Sequence, residues 1–386
     1  MNKVKLGIIG LGNMGSAHVN SIGQIKNAEL TALCDINPAK LKRYEGKGYQ
    51  LFSDNEEFFR KADIDAVVIA VPHYFHIPLT LRALECGKHV LTEKPVSVHK
   101  KLAEQLLEAA EKYPNLKLAA MFNQRTLPPH KKIKQLIDSG ELGKIRRVNW
   151  IITDWFRTQH YYDSGDWRAS WRGEGGGVLL NQCPHQLDLM QWFFGMPVKV
   201  TAIASIGKYH DIEVEDDVTA MLEYASGATG VFIASTGEAP GTNRLEITAE
   251  RGRLVYEAGK LEFLRNEVEM SEFCKTSTAS FAVPPIWKVE IPVNSDGSHQ
   301  HRDVLANFCD AILNDVPLIA PATEGIRGLE LGNAMLLSGL KHKTVELPID
   351  SDEYAAMLEE LVKTSRYVKK EKVQNDGEDF SQSFDR

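Results

Sequence analysis

The sequence predicts an α/β chain in two parts. A doubly wound parallel sheet is expected over residues 1–124, and an α+β domain with a large open, mostly antiparallel sheet over residues 125–368. Three observations carry this reading. The apolar run Val4–Ile9 leads straight into a glycine-rich corner and a helix-like stretch. The first third then alternates β-branched runs with helical stretches, the pattern of βαβ units. After about residue 125 longer strands follow, separated by hairpin signals such as Ser226-Gly227 and Arg251-Gly252. At 386 residues the chain exceeds one ordinary domain, and the polar stretch 369–386 is expected to fray.

The corner fixes the type of the first sheet. Gly10, Gly12 and Gly15 fall as G-x-G-x-x-G, with Asn13 and Met14 between the last two, and Ser16-Ala17-His18-Val19 continues as a helix. Gly10 permits a sharp turn, Gly12 lets backbone approach a pyrophosphate, and Gly15 lets helix lie close on strand. The helix N-terminus offers free N–H groups to phosphates. A second strand, 29–35, ends in Asp35, 20 residues after Gly15, where a Rossmann fold places the carboxylate that bonds the ribose hydroxyls. A carboxylate there suits NAD and repels the 2′-phosphate of NADP. No arginine adjoins it, although Lys40, Lys42 and Arg43 are near.

The remaining elements follow in order. Residues 38–44 and 54–61 read as helices, the second capped by Ser53 or Asp54. Residues 64–71 form a doubly buried strand ending at Pro72. Residues 77–86 are helical, 89–92 a strand, 99–112 a long helix ended by Pro114, and 116–122 a strand. Ligands in such sheets bind beyond the carboxyl ends of the strands. That expectation adds Pro72, His76, Glu93, Lys94 and Asn123 to Gly10–Gly15 and Asp35 as the cofactor wall. In the second part, 128–139 is a helix, and 145–155, 198–208, 217–224, 230–236, 244–249 and 253–257 are strands. Residues 266–298 resist reading, with Pro284-Pro285 and 294–298 as loop signals. Helices at 301–313, 323–340 and 353–364 and a strand at 344–347 complete the chain.

Composition narrows the class. The chain is 43% hydrophobic and 25% charged with a net charge of −7 and no basic block, which argues against nucleic acid as main partner. Five scattered cysteines without a C-x-x-C fit a reduced, cytoplasmic protein and no zinc scaffold. No apolar run approaches a membrane span, and no signal-peptide pattern opens the chain. His299 and His301 lack accompanying metal-ligand types and read as solvated or capping; no metal is expected.

Three stretches carry chemistry. Glu93-Lys94-Pro95 lies just beyond a parallel strand, where a lysine can hold a substrate oxygen and stabilise charge on it. Spacing alone does not separate this from an ordinary charged loop. In Gly173–Asp188, a glycine run precedes Asn181, His185 and Asp188, spaced four and three, which share a face if the stretch is helical. Pro184 opposes a continuous helix. His185 suits a general base, and equally a buried histidine satisfied by Asp188. Around residues 150–172, four of six tryptophans mix with Tyr161, Tyr162, Arg157, Arg168 and Arg172, a composition fit for stacking and hydrogen-bonding a polyhydroxylated ring. Trp150 reads as core.

With these stretches together the sequence resembles the glucose–fructose oxidoreductase/inositol dehydrogenase/rhizopine-catabolism (Gfo/Idh/MocA) family. The resemblance runs through Gly10–Gly15, Glu93-Lys94-Pro95, Asn123-Gln124-Arg125, the block 175–188 and Ala322-Thr323-Glu324-Gly325. It implies a Rossmann domain, an α/β domain whose open sheet forms dimers or tetramers, and NAD(P)-dependent oxidation of a sugar or cyclitol hydroxyl. Lys94 and His185 match the family's catalytic lysine and histidine. Asn181 and Asp188 are then expected to position substrate or imidazole, and Tyr162, Trp167, Arg168 and Arg157 to line the sugar pocket. Asn181 stands where inositol-dehydrogenase-like members carry aspartate, so inositol itself becomes a less secure substrate. Two alternatives share the fold: an enzyme that retains NAD and re-reduces its sugar within one cycle, and a cofactor-binding sensor without turnover.

Overall fold

A computed structural model describes residues 3–165, 167–293 and 299–368. The first sheet contains β1 (Val4–Ile9), β2 (Ala28–Cys34), β3 (Gln50–Phe52), β4 (Ala66–Ile69), β5 (His89–Thr92) and β6 (Leu118–Ala120). All are parallel, in the order β3-β2-β1-β4-β5-β6. The order reverses between β1 and β4, which opens a crevice at their carboxyl ends. β4 is buried on both faces, as its continuous Ala66-Val67-Val68-Ile69 run requires. β3, only three residues long, is too short for periodicity to show.

The second sheet holds β7 (Ile145–Ile152), β8 (Lys199–Ile206), β9 (Glu215–Glu223), β10 (Thr229–Ser235), β11 (Asn243–Ala249), β12 (Gly252–Glu257), β13 (Lys260–Asn266), β14 (Ile286–Glu290) and β15 (Val345–Glu346). Their order is β14-β13-β12-β11-β7-β10-β9-β8-β15. Every pairing is antiparallel except β7 with β10. Burial alternates along β9, the mark of one covered and one open face. Helices Pro184–Phe194 and Gly325–Lys341 cover the inner face, and Gly339 lies against Ala204 of β8 with no room for a Cβ.

Several expectations are corrected. The helix foreseen over 99–112 is two pieces, Lys100–Ala103 and Gln105–Lys112. The unread region before 294 contains the helix Met270–Thr276 and the edge strand β14. The helix His301–Asn314 returns to the first sheet: Val304, Leu305, Phe308 and Cys309 share a core with Val4, Leu6, Ile8 and Leu91. Residues 125–368 are therefore not one packing unit. The loop expected at 294–298 and the tail 369–386 lie outside the described residues. No helix among the described residues is long and apolar enough to cross a membrane.

Candidate active site

A cleft of about 790 Å3 runs along the switch point of the first sheet. At its outer end Gly10 turns with φ +91°. A Cβ on Gly15 would lie 1.8 Å from the Gly10 carbonyl oxygen, so helix and corner touch directly. At Gly12, the N-cap of helix Asn13–Ile22, a Cβ would meet nothing within 4 Å and would project into open space. That empty cradle at a helix N-terminus fits a pyrophosphate. Asp35 closes this end. Its Oδ2 accepts from the Leu11 N–H (2.7 Å), its Oδ1 accepts from the Asn37 N–H (2.8 Å), and Lys40 Nζ lies 3.3 Å away.

Gly10, Gly12, Asn13, Met14, Asp35, Pro72, Glu93 and Lys94 all line the cleft. Gly15, His76 and Asn123 stand behind its wall. His76 bridges the Pro95 and Val71 carbonyl oxygens (2.6 and 2.7 Å), tying the loops after β4 and β5 together. Asn123 is buried and donates through Nδ2 to Gln300 Oε1 (2.7 Å).

The inner end is built from both domains. Beyond β5, Glu93 sits in a buried pair with His18 Nε2 (2.6 Å). Burial works to raise the Glu93 pKa, but the bond to His18 and the charges of His18, His301 and Lys94 hold it at about 2. His301 is not solvated as expected. It faces the His18 ring at 5.9 Å, and burial pulls its pKa down to about 4. His299 is exposed, and its backbone N–H bonds Asp303 Oδ2 in the first turn of helix His301–Asn314, whose N-cap is Gln300. Lys94 precedes a cis proline, and its Nζ donates to the Asn181 carbonyl oxygen (2.8 Å). Burial lowers its pKa.

The facing stretch is not one helix. Val178–Gln182 makes a π-helical turn, and a new helix starts at Pro184, a first-turn position where proline's missing N–H is harmless. Asn181 therefore does not lie on the helix that carries His185 and Asp188. The turn is anchored from below by Glu215, whose carboxylate accepts from the Gly177 and Leu179 N–H groups (2.9 and 3.1 Å). Burial pushes Glu215 up to about 7. Asn181 lines the cleft and its Nδ2 bonds Glu174 and the Tyr161 hydroxyl. His185 is 9% exposed, is not among the residues that line the cleft, and has Nδ1 unbonded among the described residues. Burial, then the charge of Lys94, holds its pKa well below the usual imidazole range, so the ring is neutral.

Asp188 departs from its expected role. It is fully buried and receives both arms of Arg125 at 2.7 Å, so it braces the fold and does not line the cleft. Tyr162 departs likewise: it is 1% exposed and bonds Thr236 Oγ1 (2.8 Å). Its neighbour Tyr161 bonds Asn181 and Gln182 through its hydroxyl, and its ring lies against the guanidinium groups of Arg157 and Arg168. Trp167 and Arg168 line the cleft, and Trp150 is core. Glu174, Glu215 and His73 were not singled out by sequence. Glu174 lay visible within the glycine run, but nothing local marks Glu215, which comes from β9.

Comparison with known proteins fits this geometry. Residues 4–120 match the model of an oxidoreductase family with an NAD-binding Rossmann fold, and residues 130–255 match a GFO/IDH/MocA C-terminal domain. Inositol 2-dehydrogenase of Rhizobium meliloti (strain 1021) is 27% identical over 89% of this chain and 99% of its own. The WlbA dehydrogenase of Bordetella pertussis, solved with NADH and UDP-GlcNAcA, shares the fold with a TM-score of 0.77, at 24% identity over 90% of this chain and 100% of its own. A levoglucosan dehydrogenase solved with NADH and L-sorbose gives a TM-score of 0.75, at 20% identity over 91% of this chain and 100% of its own. The two family models together span more than half of the chain, and the protein belongs to the Gfo/Idh/MocA family of NAD-binding oxidoreductases.

Proposed function

We propose that the protein oxidises a secondary hydroxyl of a sugar, glycoside or cyclitol, with Lys94 and His185 as the catalytic pair. The observation that carries this is a lysine from the first domain, on the wall of the cofactor cleft, beside a neutral buried imidazole from the second. When bound, NAD supplies the hydride acceptor. Gly12 and the N-terminus of helix Asn13–Ile22 hold its phosphates, and Asp35 its adenosine ribose. Lys94 turns its ammonium to the substrate oxygen and stabilises charge developing there. His185 takes the hydroxyl proton; its depressed pKa keeps it unprotonated and ready. Asn181 orients the substrate but carries no charge, which favours a ring other than inositol. The named activities of the relatives, on inositol and levoglucosan, support the substrate class.

The test is NADH formation from NAD or NADP over a panel of cyclitols, aldopyranoses and alkyl glucosides. Lys94→Ala is expected to lower turnover by at least about 100-fold while NADH fluorescence titration stays nearly unchanged. Wild-type turnover in that variant would overturn the assignment. The open face of the second sheet, with Ile203 and Met221 exposed at 72% and 63%, supports a homo-oligomer formed through it.

A further inference from the structure

Resting on the dehydrogenase reading, we propose that the sugar this cleft accepts is acidic: it carries a carboxylate that Arg168 grips beside Lys94. Both residues line the inner cleft together with Trp167 and Asn181. The Arg168 guanidinium lies over two rings, with Cζ 4.5 Å from the Trp167 centroid and 4.6 Å from that of Tyr161. Stacking of this kind occupies the faces of the guanidinium and leaves its planar fork of N–H donors for an in-plane partner.

That partner is missing among the described residues. Arg168 makes no hydrogen bond or ion pair with any described residue, and its buried Nε has no acceptor. Other arginines of this chain are treated differently: Arg82, Arg125, Arg146, Arg244, Arg251 and Arg265 each meet a carboxylate. Among the described residues, two carboxylates at this end of the cleft are already committed. Glu174 receives the Ala169 N–H and the Asn181 amide. Glu93 receives His18 and the backbone N–H of Lys94. Among the described residues Lys94 Nζ bonds only the Asn181 carbonyl oxygen.

The cations also press on one another. After burial and the opposing pull of Glu93, the causes that act on Lys94 are Arg168 and Arg157, both lowering its pKa. Arg157 stacks on Tyr161 as well, at 5.1 Å. A neutral polyol leaves that repulsion in place, whereas an anion relieves it. A planar carboxylate offers two oxygens at the spacing of the guanidinium fork, which a hydroxyl pair does not. The ligand class is therefore a hexuronic acid or its glycoside, with the carboxylate at Arg168 and the reacting hydroxyl at Lys94. The carboxylate binds and orients, and takes no part in the bond changes.

The test uses the full-length protein saturated with NADH. Calorimetry compares matched pairs: glucuronate with glucose, galacturonate with galactose, and methyl glucuronoside with methyl glucoside, with glucose 6-phosphate added. At least one acid is expected to bind about 10-fold or more tightly than its neutral partner, with affinity falling as salt rises. Arg168→Gln should bring that ratio toward one with NADH affinity retained, and Arg168→Lys should recover part of it. Neutral sugars binding as tightly as the acids, no acid binding at millimolar concentration, or an Arg168→Gln ratio equal to wild type would each overturn the proposal. Preference for glucose 6-phosphate over every uronate would also overturn it, since the anion would then be a phosphate. Turnover of a neutral ring with no acid preference would leave the dehydrogenase reading standing alone. Arg168-dependent acid binding with no NADH formed from any acid would do the reverse.

Discussion

Two glycines three residues apart make opposite demands on their surroundings. Gly15 touches the Gly10 carbonyl oxygen, a backbone atom that cannot yield. Gly15→Ala is expected to cost about 3 kcal/mol of stability. Gly12 meets nothing, so Gly12→Ala should cost less than about 1 kcal/mol and instead weaken NAD binding by filling the phosphate cradle. Urea melts and NADH titration of the two variants separate these effects; equal losses in both measurements would contradict the assignment. His185 gives a second expectation. Its pKa lies below the usual value because of burial first and Lys94 next. The base is protonated only as pH falls through that low value, so the acid limb of kcat/KM should lie below the ordinary histidine range. Removing Lys94 takes away one of the two main causes. In Lys94→Met the His185 ring should titrate at higher pH by NMR, and an unchanged titration would separate the two side chains.

Between elements, one ion cluster joins what the chain order separates. Arg125, in the turn after β6, gives two hydrogen bonds to Asp188 on helix Pro184–Phe194 and one each to Glu324 and the Ile319 carbonyl. Both Arg125 and Asp188 are almost wholly out of water, where an unpaired charge is far more costly than a satisfied pair is stabilising. Arg125→Met is expected to lower stability by about 3–5 kcal/mol, read from the urea midpoint. The double variant Arg125→Met/Asp188→Leu should regain part of that loss, because no charge is left stranded. The same cluster shows why spacing misled: Asp188 follows His185 by three on one helix, but the buried Arg125 takes both of its carboxylate oxygens, a partner 63 residues away that no local spacing reveals.

For the whole molecule, helices Pro184–Phe194 and Gly325–Lys341 cover one face of the nine-stranded sheet, and Ile203 and Met221 stand exposed on the other. Register places Ile203 opposite Thr219, and Met221 opposite both Thr201 and Val231, so the open face carries an apolar stripe across the three neighbouring strands β8, β9 and β10. Covering it with a second copy would bury that stripe. Ile203→Glu/Met221→Lys is expected to convert the oligomer to monomer in light scattering while the far-ultraviolet spectrum is kept. A monomeric wild type would remove this interface.

Sequence by itself determined the local and the strictly spaced. The first sheet was legible because doubly buried parallel strands are continuous apolar runs, and the phosphate corner because its glycines are set by contacts within a few residues. Lys94 and the glycine–histidine block were legible as motifs, as were the strands of the second sheet through alternation. Only tertiary structure decided what meets across long separations: that Asn181 offers its carbonyl to Lys94, 87 residues earlier, that Tyr161 and not Tyr162 bonds Asn181, and that Glu215 anchors the π-helical turn. The helix His301–Asn314 was legible as a helix, but its return to the first core was not. An amphipathic pattern says that a face must be buried; it does not say against which sheet, since that choice depends on shape and charge brought together only when the whole chain has closed.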